Sequence, residues 1–471
     1  MNSLPRGWAT TKLGTVAKWG SGGTPSRSTP SFYGGTIPWI KTGELGPKYV
    51  SKTAEMLTLS GMENSSAKLF SKGSVALAMY GATIGKVSIL GIDAATNQAC
   101  GVGNPYLLVT TTDFLFHYLR SQKEAFIEAG KGGAQPNISQ NVIKEWPYPL
   151  PPLAEQQRIA AKLDSTLARV NACRDRLARA APLLKRFRQS VLTSAINGRL
   201  TANWRTISFV DIELQLTQNI DSKRTQENGE LPISWRKMTL GDVTYDLRYG
   251  TSKKCSYSED GHVVLRIPNI GDKGKIDLAD IKRAEFTASE IDGLRLEIGD
   301  LLLIRSNGSA DLVGKTCLVT KKEEGLLFAG YLMRLRVSTE LALPAYVALT
   351  MASPELRAVI EATSKSTSGV NNINSGEVKG LPLNLPPILE QTEIIRRVET
   401  LFAFADRIEA RLATAQTAVD KLTPALLAKA FRGELVPQDP ADEPASELLK
   451  RLAAEREAAP KTKSKRASKT A

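Results

Sequence analysis

The sequence predicts an α+β chain written twice. Two tandem-repeated mixed α/β heads with irregular β-structure are separated by two long antiparallel coiled-coil helices in a pseudo-two-fold arrangement. Three observations predict this: an ordered set of internal repeats, short apolar runs punctuated by turn residues in each half, and two sustained heptad seams. At 471 residues the chain has room for more than one buried core.

The repeats come in order along the chain. LPRGW at Leu4–Trp8 returns as LPISW at Leu231–Trp235, and Leu13-Gly14 returns as Leu240-Gly241. The stretch from Lys72 to Val87 answers to that from Ile298 to Thr316, and QPNIS (Gln135–Ser139) to VNNIN (Val370–Asn374). LPPLAEQQRI (Leu150–Ile159) meets LPPILEQTEI (Leu385–Ile394), and INGRL (Ile196–Leu200) meets FRGEL (Phe431–Leu435). The offset between copies is 227 residues at the start, 229 at Gly85-Lys86, and 235 from Asn137-Ile138 onward. Drift followed by constancy describes two heads with different loops and two helices of equal length. The boundaries that follow are a first head at 1–150, a helix at 151–200, a linker at 201–230, a second head at 231–385, a helix at 386–435 and a tail at 436–471.

Within the heads, Val75–Met79, Lys86–Leu90, Val263–Ile267, Leu301–Ile304 and Cys317–Thr320 are apolar or β-branched runs bounded by Gly, Ser and Asn, which read as short strands. Phe114–Ala129 and Pro344–Ala362 read as helices late in each head. Trp8, Trp39 and Trp235 read as core anchors. After Pro151-Pro152 a seam recurs every seven residues at Leu163, Val170, Leu177, Leu184 and Val191. The second copy gives Val398, Ala405, Leu412, Val419 and Leu426. A companion row four residues earlier holds Ile159, Thr166, Cys173, Ala180 and Phe187, then Ile394, Leu401, Ile408, Ala415 and Leu422. Pro182 and Pro424 fall on outward positions, where they bend a helix without disturbing its seam. Gly198 and Gly433 end the helices.

Composition narrows the function. No run approaches the roughly 20 apolar residues of a membrane span, and the N-terminus shows no signal-peptide core, so a cytoplasmic location and no membrane partner are expected. The four cysteines and two histidines lack ligand spacing, so no metal site and no disulfide are expected. A net charge of +14 favours a polyanionic partner. Fragments that suggest chemistry fail on inspection. GATIGKV (Gly81–Val87) is one residue short of a phosphate loop and lacks Ser or Thr after Lys86, while GSADLVGKT from Gly308 is one residue long. GVGNPY (Gly101–Tyr106) lacks the second proline and the Gly-rich loop of a methyltransferase. No active site is expected, and no cofactor on this chain.

PLPPLAEQQRIAAKLD (Pro149–Asp164), LLKRFRQSVLTSAINGRLTANWR (Leu183–Arg205), GGTPS (Gly22–Ser26), YGATIGK (Tyr80–Lys86), TNQAC (Thr96–Cys100) and RSNGS (Arg305–Ser309) closely resemble the specificity subunits of type I restriction-modification systems. The resemblance runs through FRGELVPQDP (Phe431–Pro440). It implies two target-recognition domains, each reading half of a bipartite asymmetric site on double-stranded DNA, with the helices setting the spacer. It also implies methyltransferase subunits docked on those helices, motor-nuclease subunits for restriction, and S-adenosylmethionine, ATP and Mg on those partners. A coiled-coil scaffold with protein-binding heads is the alternative.

Loops between strands must supply groups for base edges and phosphates. In the first head the candidates are Ser21, Thr24, Ser26, Arg27, Lys41, Thr42, Tyr80, Asn97, Gln98, Lys131 and Asn137. In the second they are Thr251, Ser252, Lys253, Lys254, Arg266, Asn269, Arg305, Ser306, Asn307, Ser309, Lys365, Asn371 and Asn372. Arg305 is the first choice for a guanine contact and Gln98 for an adenine one. In the tail from Val436, PASELLKRLAAEREAAP (Pro444–Pro460) has the composition of a short helix. Lys461–Ala471 holds five Lys or Arg and no acid, and the whole reads as a partly disordered, basic end.

Overall fold

A computed structural model describes residues 4–131, 137–206, 231–257, 260–364 and 370–458. The linker residues 207–230, Lys365 and the basic residues from Lys461 onward lie outside the described residues. The chain divides into two compact units, 1–177 with 414–471 and 178–413. Each is α+β, and each contains part of both long helices.

In the first unit, Ala9–Lys12 pairs antiparallel with Pro147–Leu150, so the chain enters and leaves the head side by side. The central sheet has the order Ala17–Ser21, Cys100–Pro105, Val75–Ala78, Val87–Leu90, Tyr49–Val50. Val75–Ala78 is wholly buried because both faces of the sheet are covered. Val75 and Leu77 face the larger core with Trp8, Phe114 and Ile159, while Ala76 and Ala78 face a smaller one with Ile40 and Val102. That double burial is why the strand reads as a continuous apolar run rather than an alternating one.

The second unit repeats the plan. Arg236–Thr239 pairs with Pro382–Leu385, and the sheet order is Thr244–Tyr249, Leu332–Val337, Leu301–Ile304, Thr316–Leu318. Leu301 and Leu303 belong to one core, Leu302 and Ile304 to another. A parallel pair also recurs: Trp39-Ile40 beside Ala95-Thr96, and Val264-Leu265 beside Leu327-Phe328.

The long helices run Leu153–Ile196 and Ile388–Phe431, 44 residues each. They pack together antiparallel: residue numbers rise on one as they fall on the other. In the first unit Arg174 pairs with Asp420 at 3.1 Å, and Arg158 reaches Asp442 at 2.5 Å. In the second, Arg188 meets Asp406 at 2.9 Å, and Arg397 Nη1 donates to the Leu200 carbonyl at 2.7 Å. Of the seam residues, Leu163, Val170, Val191, Val398 and Ala405 are buried. Leu177, Leu184, Leu412, Val419 and Leu426 are half-buried, since two helices alone cannot enclose a seam. Cys173 and Leu422, placed in the companion row, are exposed, as are the outward Pro182 and Pro424. Among the described residues no helix is long and apolar enough to cross a membrane.

The start of the tail is folded within the helix-forming stretch Pro444–Pro460. Ala445–Ala458 is a helix whose Ala445 and Leu448 are buried in the first unit's core, with Leu449 and Leu452 packed against it. Their i, i+3, i+4, i+7 spacing is a core-facing stripe.

Candidate nucleic-acid interface

Both heads suspend their loops from the same backbone frame. Gly22 N donates to Cys100 O at 3.3 Å and Gly23 N to Thr96 O at 2.9 Å. Gly250 N donates to Leu332 O at 3.3 Å and Thr251 N to Phe328 O at 2.9 Å. A side chain cannot fit at this crossing. A Cβ on Gly22 would sit 2.0 Å from Thr96 O, and one on Gly250 2.3 Å from Ala329 O. The glycine lets the first strand pass over the neighbouring loop and launch residues 23–27 or 251–255 outward.

In the second head the launched loop borders a cavity of about 650 Å³. It gathers Thr251, Ser252, Lys253, Arg266, Arg305 and Ser306 from three separate loops, six of the residues expected from sequence. Its cations are not equivalent. Lys253 Nζ is held 2.8 Å from Glu290, whose carboxyl is pulled down to about 2 by that lysine and by the Thr287 amide. Arg266 Nη2 is held 3.0 Å from Asp280. Arg305 instead lies over the Tyr249 ring at 4.6 Å, and its terminal nitrogens reach Gly330 O at 3.5 Å and Asn372 Oδ1 at 3.3 Å.

Several expected residues serve the loops themselves. Asn269 is a correction. It is 1% exposed, its Oδ1 accepts from Arg266 N, and its Nδ2 donates to the carbonyls of Asp277 and Asp280. It holds a turn and has no free edge for a base. Asn307 Oδ1 accepts from Ser309 N, Ser309 Oγ donates to Asp311, and Asn371 Nδ2 donates to Gly308 O. Lys254 is exposed. Sequence reasoning passed over Tyr249, Lys282 and Tyr331 in the cavity wall. Tyr249 and Tyr331 are exposed aromatics on a strand end and a turn, a signal that was readable.

The first head offers a different surface on the same frame. Arg27 sits 4.5 Å from the Tyr33 ring centre and 5.1 Å from that of Trp39, and is bound to Glu55 at 2.7 Å. Lys41 also bonds Glu55. Arg27 and then Lys41 hold the Glu55 carboxyl below the usual carboxylate range. Thr24 donates to Gln98, joining two candidate loops. Ser26 shares a hydrogen bond with Ser28 at 2.7 Å, and Asn97 Oδ1 accepts from the Cys100 thiol at 3.2 Å. Ser21 closes its strand opposite Gly101, and Thr42 opens a single 3₁₀ turn. Tyr80 is exposed and bridges the Asn137 backbone, while Lys131 pairs locally with Glu128 at 2.6 Å.

The two long helices begin at matching buried latches that sequence reasoning left unassigned. Trp8 Nε1 donates to Glu155 at 3.0 Å and Trp235 Nε1 to Glu390 at 2.9 Å. Gln156 and Gln391, the next residues, bind the carbonyls of Pro151 and Pro386. The Pro-Pro-x-x-Glu-Gln motifs therefore fix each head to the first turn of its helix.

A duplicated frame, unlike polar loops and a helix hydrogen-bonded to each head at its first turn define a two-headed recognition chain. The comparisons place it. A family model for the type I restriction modification DNA specificity domain matches residues 5–176. The chain is 32% identical over 476 residues to the EcoKI specificity subunit of Escherichia coli K12, covering 97% of each. It is 30% identical over 475 residues to the StySPI specificity subunit of Salmonella potsdam, covering 96% of each. A chain solved in work on assembly and conformational transition of the type I R-M system shares the fold, with TM-score 0.67 at 20% identity over 92% of this chain and 100% of that one. The protein belongs to the family of type I restriction enzyme specificity subunits.

Proposed function

We propose that this chain is the noncatalytic DNA-reading subunit of a type I restriction-modification complex, each head contacting one half of a bipartite, asymmetric site. The observation that carries this is the repetition of one backbone frame under unlike loops: a cavity with Arg305 and Tyr249 in one head, an Arg27–Glu55–Lys41 cluster in the other. Equal frames fit equal docking on a duplex, and unlike side chains fit unlike half-sites. The long helices set the spacer and carry methyltransferase subunits. Those subunits supply S-adenosylmethionine, and motor-nuclease subunits supply ATP and Mg chemistry, in the cytoplasm where the DNA lies.

The test exchanges residues 1–150 for the head of another family member and reads the selected DNA motif of the assembled complex. One half-site changes and the other persists if readout is modular. A change in both halves overturns the reading.

A further inference from the structure

The backbone pairing aligns the heads residue by residue where sequence offsets drift. Arg305 N donates to Tyr331 O at 2.9 Å and Arg305 O accepts from Ile373 N at 2.9 Å. Met79 N donates to Ala99 O at 2.8 Å and Met79 O accepts from Ile138 N at 2.9 Å. Cys100 and Leu332 then accept from Gly22 and Gly250 in the same register. Arg305 and Met79 therefore occupy one position of the repeated frame. Met79 is 2% exposed and belongs to the first head's core, whereas Arg305 lines the second head's cavity.

We infer that Arg305 is a specificity-determining residue that reads a guanine in the half-site of the second head, with no counterpart in the first. This deepens the DNA-reading proposal and rests on it. A guanidinium carries five N–H groups. Arg305 Nε is sealed from solvent without a partner, one Nη1 proton goes to Gly330 O, and one Nη2 proton to Asn372 Oδ1. One donor is left on each terminal nitrogen. Two adjacent donors match O6 and N7, the paired acceptors guanine shows in the major groove. Adenine offers N7 beside an amino donor and would leave one N–H opposed by another.

The other cations of the cavity do not compete for this role. Lys253 and Arg266 are spent on Glu290 and Asp280, and Lys282, 4.5 Å from the Tyr257 ring centre, is a single ammonium without the paired donors of a guanidinium fork. Among the described residues Arg305 makes no ion pair, so its charge is not cancelled locally. It is also braced: its guanidinium carbon lies over the Tyr249 ring at 4.6 Å, and Nη2 donates to Asn372 Oδ1 at 3.3 Å. Such fixation lowers the ordering cost of the contact on binding. The strand pairing of Ser306-Asn307 with Asn371-Asn372 ties the two sides of this support together.

The experiment uses the full-length chain assembled with its methyltransferase subunits and selects from a randomised duplex library. Wild type yields a bipartite motif with an invariant guanine in the half assigned to the second head by head exchange. Arg305→Ala loses roughly ten-fold or more of the preference at that one position and keeps the other half-site. Arg305→Lys retains charge without the fork, so it loses the same preference while overall affinity is largely kept. Replacing that guanine by 7-deazaguanine, which lacks the N7 acceptor, weakens wild type several-fold and leaves Arg305→Ala unchanged. A motif whose every position survives both substitutions, or a relaxation falling in the first head's half, overturns the inference while leaving DNA reading intact. Absence of any bipartite motif with wild type overturns the DNA-reading proposal itself.

Discussion

Removing the Glu390 carboxylate tests how the second head is fastened to its helix. Glu390 is 1% exposed and accepts from Trp235 Nε1 at 2.9 Å, from Thr201 Oγ1 at 2.7 Å and from Arg205. These donors come from the head's opening segment and from the residues that follow the first long helix. In Glu390→Ala the buried guanidinium loses its counter-charge, and breaking such a pair costs about 3–5 kcal/mol. The stranded indole and hydroxyl donors would each cost about 1–3 kcal/mol alone. They share one acceptor, and Arg205 keeps bonds to Thr201 Oγ1 and Gly198 O, so the penalties do not sum. The expected loss is about 4 kcal/mol. Among the described residues, Glu155 in the first unit accepts only neutral donors, Trp8 Nε1 at 3.0 Å and Gln438 Nε2 at 3.3 Å. Glu155→Ala should cost about 2 kcal/mol. Hydrogen exchange on the full-length chain in a urea series reads each unit separately. In a cycle with Arg205→Ala, the double variant should lose about 2 kcal/mol less than the two singles together. A loss below about 1 kcal/mol for Glu390→Ala, or equal losses at the two latches, would refute the reasoning.

Other perturbations probe the loops, the helices and a buried imidazole. Gly250→Ala drives a Cβ to 2.3 Å from Ala329 O; selection experiments should show the second half-site degraded and the first intact. Deleting seven residues from each long helix removes about 10 Å of helix at 1.5 Å per residue. The proposed ruler then predicts a spacer shorter by about three base pairs, read from the selected motif, and an unchanged spacer would contradict it. His117 is buried with Nε2 2.9 Å from Asp164 Oδ1, and burial holds its pKa below the ordinary 6.5 despite that carboxylate. The folded ring stays neutral where the unfolded one takes a proton. Stability of the first unit should therefore be full above pH 6.5 and fall as the pH drops towards 5, and His117→Gln should flatten that fall in a pH series of thermal unfolding.

Much of the fold was legible because the repeat and the heptads are written in local spacing. Leu301–Ile304 was readable to the residue because a strand buried on both faces is a bare apolar run. The late helices were placed but not their breaks. Thr112–Ser121 gives way to Lys123–Ala129 at Gln122, and Pro344–Met351 to Pro354–Ser364 where Pro354 lacks the N–H to continue. The tail's apolar stripe was visible, but most of the core it joins, from Trp8 to Leu167, lies more than 250 positions away.

The candidate site was half legible for the same reason. Loop chemistry singled out Arg305 and Lys253, yet Asn269 carries the same polar signature and is consumed by its own turn. Only the folded chain shows which amide is spent. The equivalence of Met79 and Arg305 was hidden because the offset shifts within this hairpin, and hydrogen-bond register alone restores it.

Mapping methylated adenines across the host genome, with and without this gene, tests the central claim most directly. The account predicts that one split, asymmetric methylated motif disappears with the gene and returns with it. An unchanged methylome in cells expressing an active methyltransferase partner would contradict the claim that this chain selects where methylation falls.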